Sequence, residues 1–164
     1  MAKASPHLID PRQSGLRGLD LKHPLFDESA VDRAEQMLKV LGGSMQQWLD
    51  ADVQRLQDLR LAGEQSDWSF AAQEALVSSA HDLKGMGETY GFPLVSKLAA
   101  SLCRLLETED GKAITQRSPA LACAHVDAIR AAVRGNVRTE SDRVAGATLA
   151  ALEGEVAKLG VAPL

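Results

Sequence analysis

In this 164-residue chain, the side chains able to do chemistry concentrate in one stretch, Ala80-His81-Asp82-Leu83-Lys84-Gly85-Met86-Gly87-Glu88-Thr89-Tyr90-Gly91-Phe92. Placed on a helix of about 100° per residue, His81, Lys84, Gly85 and Glu88 share one side with Glu74, Val77 and Ser78. Ala72, Leu76, Leu83, Met86 and Tyr90 gather on the opposite, inward side. An imidazole of ordinary pKa, ~6.5, is about three-quarters neutral at pH 7, so it is a nucleophile without a catalytic triad. Lys84 at i+3 is its helix-surface neighbour and brings an ammonium to the same spot. Gly85 and Gly87 each cost about 1 kcal/mol relative to alanine in a helix interior. At Gly85 the return is bare surface, because a side chain there would lean back over the imidazole. Gly87 lies nearer the inward side, where smallness serves helix packing.

The spacing His81, Leu83, Lys84, Gly85, Gly87, Tyr90, Gly91 resembles that of the histidine phosphotransfer (HPt) domains of two-component phosphorelays. The resemblance runs to about Leu106. It implies that His81 accepts a phosphoryl group from a receiver-domain aspartate and passes it to another, with Lys84 stabilising the phosphoryl charge of up to about −2. Receiver domains of response regulators or hybrid histidine kinases are the implied partners, docking over Gly85, Glu88, Val77 and Ser78. Gly87 and Gly91 become structural, with Gly91 as the left-handed residue that ends the motif helix. The resemblance also implies that the receiver brings the metal and the acidic pocket, so this chain is a phosphocarrier rather than an enzyme.

The pattern departs from the family in three ways. Glu88 occupies a position that is often small, where it can pair with Lys84, contact a receiver or stay solvated. An ungapped count places Cys103 twenty-two residues beyond His81, where relatives commonly carry a Gln or Glu that bonds the imidazole; either the turn shifts the alignment or His81 is held differently. Thiols bond poorly, and Arg104 is a basic alternative beside it. The phosphotransfer domain of chemotaxis kinases shares the Gly91-Phe92 corner but is followed by dimerisation and ATP-binding domains. Those are not found here, and a free-standing shuttle is expected.

The rest of the chain narrows the function by exclusion. A net charge of −4 argues against nucleic acid as the main partner. The sequence has no phosphate-binding Gly-x-x-x-x-Gly-Lys loop, no kinase glycine loop and no evident Mg²⁺ carboxylate cluster. His7 and His125 have no carboxylate four residues away and His23 falls in the expected arm, so a di-iron bundle is not indicated and no metal and no cofactor are expected. Cys103 and Cys123 fall in apolar helical patterns and read as reduced core residues. With no bilayer-length apolar run and no signal-peptide core, a cytoplasmic monomer is expected.

The elements that must position the motif are helical throughout. Residues 1–25 read as a partly disordered arm and 26–164 as a single helical-bundle domain. A first helix runs from Asp27 or Ser29 to Leu41, with Val31, Met37, Leu38 and Leu41 inward, and Gly42-Gly43 ends it. Ser44 caps a second helix, to about Ala62, with Trp48 and Leu49 inward. Ser66 or Asp67 caps the motif helix, and Pro93 opens the next, striped by Leu94, Leu98, Leu102 and Leu105. Residues 107–118 read as a loop around Asp110-Gly111. Pro119 opens a fifth helix, and a sixth runs from about Thr139 to Leu159 with Val144 inward. The fold class is all-α: an antiparallel four-helix bundle core with additional N-terminal and peripheral helices. Two functions are compatible with this reading, a phosphohistidine carrier and a non-phosphorylated bundle that docks and sequesters a signalling partner.

Overall fold

A computed structural model describes residues 28–160, so the expected arm at residues 1–25 lies outside the described residues. The described chain has six helices and no strand: α1 (Glu28–Gln65), α2 (Phe70–Met86), α3 (Pro93–Glu107), α4 (Glu109–Arg117), α5 (Ala120–Arg134) and α6 (Arg143–Lys158). None is long and apolar enough to cross a membrane. The chain divides into two compact units, with the boundary between Leu41 and Gly42.

In the second unit α3 is the central helix, packed against α2, α4, α5 and α6. Its composition explains this position. The predicted stripe Leu94, Leu98, Leu102 and Leu105 is buried, and so are Val95, Ala99, Cys103 and Leu106 around it. A helix that is apolar on nearly every side has to sit inside the bundle. Its two buried serines are both satisfied. Ser96 Oγ accepts the Glu88 N–H at 3.0 Å, and Ser101 Oγ lies 2.9 Å from Nε2 of the buried His125. The His125 Nδ1 lies 2.8 Å from the Leu121 carbonyl, which can only accept, so Nδ1 carries the proton and Nε2 accepts from Ser101.

The α2–α3 corner is built from local rules. The amide of Gly91 donates to the Glu88 carbonyl at 2.9 Å and that of Phe92 to the Gly87 carbonyl at 2.8 Å. That bonding pair is the Schellman ending, and it needs a left-handed residue at Gly91, whose φ is +79°. Phe92 is buried and Pro93 occupies the first helical position of α3. Gly87 sits so close to α3 that a Cβ there would lie 2.8 Å from the Ser96 backbone nitrogen. The Tyr90 hydroxyl closes the corner onto α1 by donating to Asp52 at 3.0 Å.

Several expectations need correction. The Gly42-Gly43 pair does not end a helix, because α1 is continuous from Glu28 to Gln65. Glycine lowers helix propensity but does not forbid helix, and neither residue takes a positive φ. Within residues 28–41, Val31, Met37, Leu38 and Leu41 are exposed rather than inward, and in the second unit Trp48 is 54 % exposed. The motif helix is capped by Ser69, whose hydroxyl accepts from Ala72 N–H, and not by Ser66 or Asp67. Asp67 and the buried Trp68 instead form a tight link with positive φ.

The expected 107–118 loop contains α4. Thr108 Oγ1 accepts the Gly111 N–H at 3.1 Å, and Glu109 and Asp110 complement the helix N-terminus. Gly111 serves close approach, since a Cβ there would fall 1.7 Å from the Leu105 carbonyl oxygen. Helix α6 starts at Arg143 because Asp142 caps it, accepting from Val144 and Ala145 N–H at 3.0 and 2.9 Å. That start leaves Val144 74 % exposed. Met86, expected inward, is 40 % exposed at the end of α2.

Two predictions follow from this packing. Gly87→Ala should destabilise the bundle by about 1–3 kcal/mol, the usual cost of overpacking, measured as a lower urea midpoint at unchanged slope. A stability equal to wild type would mean that the α2–α3 contact is not close. Burial lowers the His125 pKa from its ordinary 6.5, outweighing the Leu121 hydrogen bond. The unfolded chain therefore takes up the proton first. His125 contributes its full stability above pH 6.5, and that stability is lost as pH falls from 6.5 toward the lower folded value. Thermal melts between pH 7.5 and 5.5 should show the loss, and His125→Asn should flatten this part of the profile.

Candidate functional site

Helix α2 presents its residues as the 100° projection requires. Gln73, Leu76, Ser79, Ala80 and Leu83 are buried, and His81 and Asp82 stand in solvent on the other side. Lys84, one turn on, is half-buried and makes no ion pair among the described residues. Gly85 is exposed, with open space where its Cβ would be. Glu88 is exposed as well and does not pair with Lys84, so the ammonium is left uncommitted.

A groove of about 430 Å³ runs beside His81. Helix α2 contributes Glu74, Val77, Ser78 and Asp82 to it, α3 contributes Leu106 and Glu107, and α4 contributes Lys112. Lys112 is placed by three contacts. Its carbonyl accepts from the buried Gln73 amide at 3.3 Å, its ammonium lies 4.4 Å from the Phe70 ring centroid, and Glu109 pairs with it at 3.6 Å.

The hairpin brings Cys103 directly under the imidazole. Ligand atoms of His81, Cys103 and Glu107 all lie within 4.8 Å of one another, so these three are the residues here that could hold a metal ion. Burial pushes the Cys103 thiol up to about 11; Glu107 adds to the rise, and Lys84 and Arg104 oppose it. At neutral pH it is a buried, protonated thiol, with the Glu107 carboxylate one turn further along α3.

The residues singled out from sequence separate accordingly. Val77, Ser78 and His81 line the groove, Cys103 is buried within 4.8 Å of the His81 and Glu107 ligand atoms, and Lys84, Gly85 and Glu88 continue the exposed face of α2 and its last turn. Gly87 and Gly91 belong to the corner. Arg104 points elsewhere, pairing with Glu153 of α6 at 3.2 Å. Sequence reading missed Glu107 and Lys112. Glu107 falls in the expected 107–118 loop, although its i+4 spacing from Cys103 puts both on one face of α3. No local pattern marked Lys112, which reaches the groove only through the position of α4.

A family model for the Hpt domain matches residues 28–136, and the chain belongs to that family. No curated protein and no solved structure matched in the corresponding searches. Hpt domains are phosphocarriers of histidine phosphotransfer in phosphorelays and interact with the receiver domains of two-component systems. The all-helical bundle agrees with that family.

Proposed function

We propose that this protein is a phosphorelay intermediate in which His81 takes a phosphoryl group from a receiver aspartate and delivers it to another receiver. The observation that carries the reading is the combination on one face of α2: an exposed imidazole, an uncommitted ammonium at i+3 and open space at i+4. A neutral imidazole nitrogen attacks phosphorus of the aspartyl phosphate. The N–P bond forms as the O–P bond breaks, and the carboxylate leaves with its electron pair. Reversal at a second receiver completes the relay. The metal-dependent part of the catalysis belongs to the receiver, while this chain supplies nucleophile, cation and docking surface.

Lys84 faces the charge that develops on the transferring group, worth ~1 kcal/mol at an exposed position and more once a receiver excludes water. Gly85 leaves room for the receiver's acidic pocket, and Glu88, Val77 and Ser78 border the same approach. The protein acts as a cytoplasmic monomer in this reading, where receivers meet it.

Transfer from a phosphorylated receiver tests the assignment. His81→Gln should abolish label uptake with an unchanged melting temperature, because the side chain is exposed. Uptake that survives the substitution would remove His81 as the acceptor, and a fold that never takes label would favour the docking module. Gly85→Leu should keep the fold but slow receiver-dependent transfer, leaving reaction of His81 with a small phosphodonor intact; wild-type transfer would refute close approach. Lys84→Ala should slow transfer by ~10-fold, equivalent to ~1.4 kcal/mol in the transition state. Equal rates would take the lysine out of the mechanism.

A further inference from the structure

We propose that His81, Cys103 and Glu107 form a zinc-binding site, and that the bound ion withdraws the imidazole from phosphoryl transfer. The inhibitory half rests on the reading of His81 as phosphoryl acceptor, but the binding half does not.

The donor set is the first argument. One imidazole nitrogen, one thiol sulfur and one carboxylate oxygen, all within 4.8 Å of one another, are the ligand types that zinc takes. Thiolate selects zinc over the harder magnesium and calcium. Three protein ligands leave the fourth tetrahedral position for water.

Geometry is the second. Cys103 and Glu107 are four residues apart on α3 and share a face, while His81 reaches them from α2. With zinc–sulfur near 2.3 Å and zinc–nitrogen or –oxygen near 2.0 Å, tetrahedral ligand atoms sit roughly 3.2–3.6 Å apart. Closing from 4.8 Å requires only torsional adjustment of His81 and Glu107, both exposed, onto the buried sulfur. None of the three side chains forms a hydrogen bond or ion pair among the described residues, so coordination displaces no polar partner there.

Charge is the third. Thiolate and Glu107 carboxylate together neutralise the dication, and Glu74 and Asp82 line the same groove. Lys84 opposes the ion, but its flexible stem can carry the ammonium away into solvent. On binding, zinc exchanges three of its waters for sulfur, nitrogen and oxygen, and the thiol proton passes to the buffer. A neutral imidazole has one available lone pair. Coordination commits it to the metal and leaves the proton on the other nitrogen, so neither can attack phosphorus.

The test uses the untagged 164-residue chain, titrated with Co²⁺ alone as a spectroscopic stand-in and then with Zn²⁺ in competition. One equivalent of Co²⁺ should give a thiolate-to-cobalt charge-transfer absorption that Zn²⁺ removes. Cys103→Ala should lose it, Cys123→Ser should keep it, and His81→Gln and Glu107→Gln should weaken binding by ~10-fold or more. Zn²⁺ should also protect His81 from diethyl pyrocarbonate, read by peptide mass mapping. Absence of the band, or affinity unchanged in both His81→Gln and Glu107→Gln, would overturn the site even if Cys103→Ala failed to fold. Phosphoryl uptake by the metal-free protein is measured in parallel. Normal uptake without a cobalt band removes the zinc site and leaves the acceptor. A cobalt band together with uptake that persists in His81→Gln removes the acceptor, and with it the inhibitory half.

Discussion

Everything at the reactive surface depends on how closely α2 and α3 meet at their shared corner. Gly87 lets the end of α2 rest against the Ser96 backbone, and Ser96 Oγ accepts the Glu88 N–H that would otherwise be an orphan there. The left-handed Gly91 turns the chain, and buried Phe92 with Pro93 at the first helical position starts α3 at once. These contacts set the register of the hairpin. With that register His81 stands over Cys103 and Glu107; a slip of one residue would rotate each helical position by about 100° and dissolve the cluster.

The bundle behind the hairpin is held by packing, with a few polar anchors. Its central helix buries leucines on nearly all sides, and the buried His125 ties α5 to α3 through Ser101. Arg104 joins α3 to α6, and Arg60 joins α1 to Asp127 of α5 at 3.3 Å. None of these anchors involves His81, Lys84 or Gly85. The anchors thus lie apart from the proposed reactive face, an arrangement that suits a carrier whose histidine alternates between free and phosphorylated forms.

The proposed zinc site offers a way to control a carrier at its nucleophile. A phosphocarrier needs an exposed imidazole with an available lone pair, and any ligand that claims this pair competes with transfer. Cys103 and Glu107 supply the other donors within reach of it. Beside the imidazole this chain has a buried thiol with a carboxylate one helical turn further on.

Local chemistry made much of this legible in sequence. The Leu94–Leu105 stripe, Pro93 at a helix start, Gly91 at a helix end and the outward His81 all follow from periodicity and backbone preference, which act within a turn or two of the chain. Where such signals are weak, sequence misled. Gly42-Gly43 looked like a break although helix is merely less favourable there, and Asp110-Gly111 looked like a loop although that glycine lets α4 start against the Leu105 carbonyl. Which apolar residues of α1 found partners was not readable from its period, which names a face but not what covers it. The sequence by itself determined an all-helical bundle with a histidine displayed beside a lysine and a glycine. Only the tertiary structure decided that Cys103 and Glu107 lie under that histidine, that Lys112 joins the groove and that Arg104 faces Glu153, because those relations cross between helices and are set by packing register rather than by any local propensity.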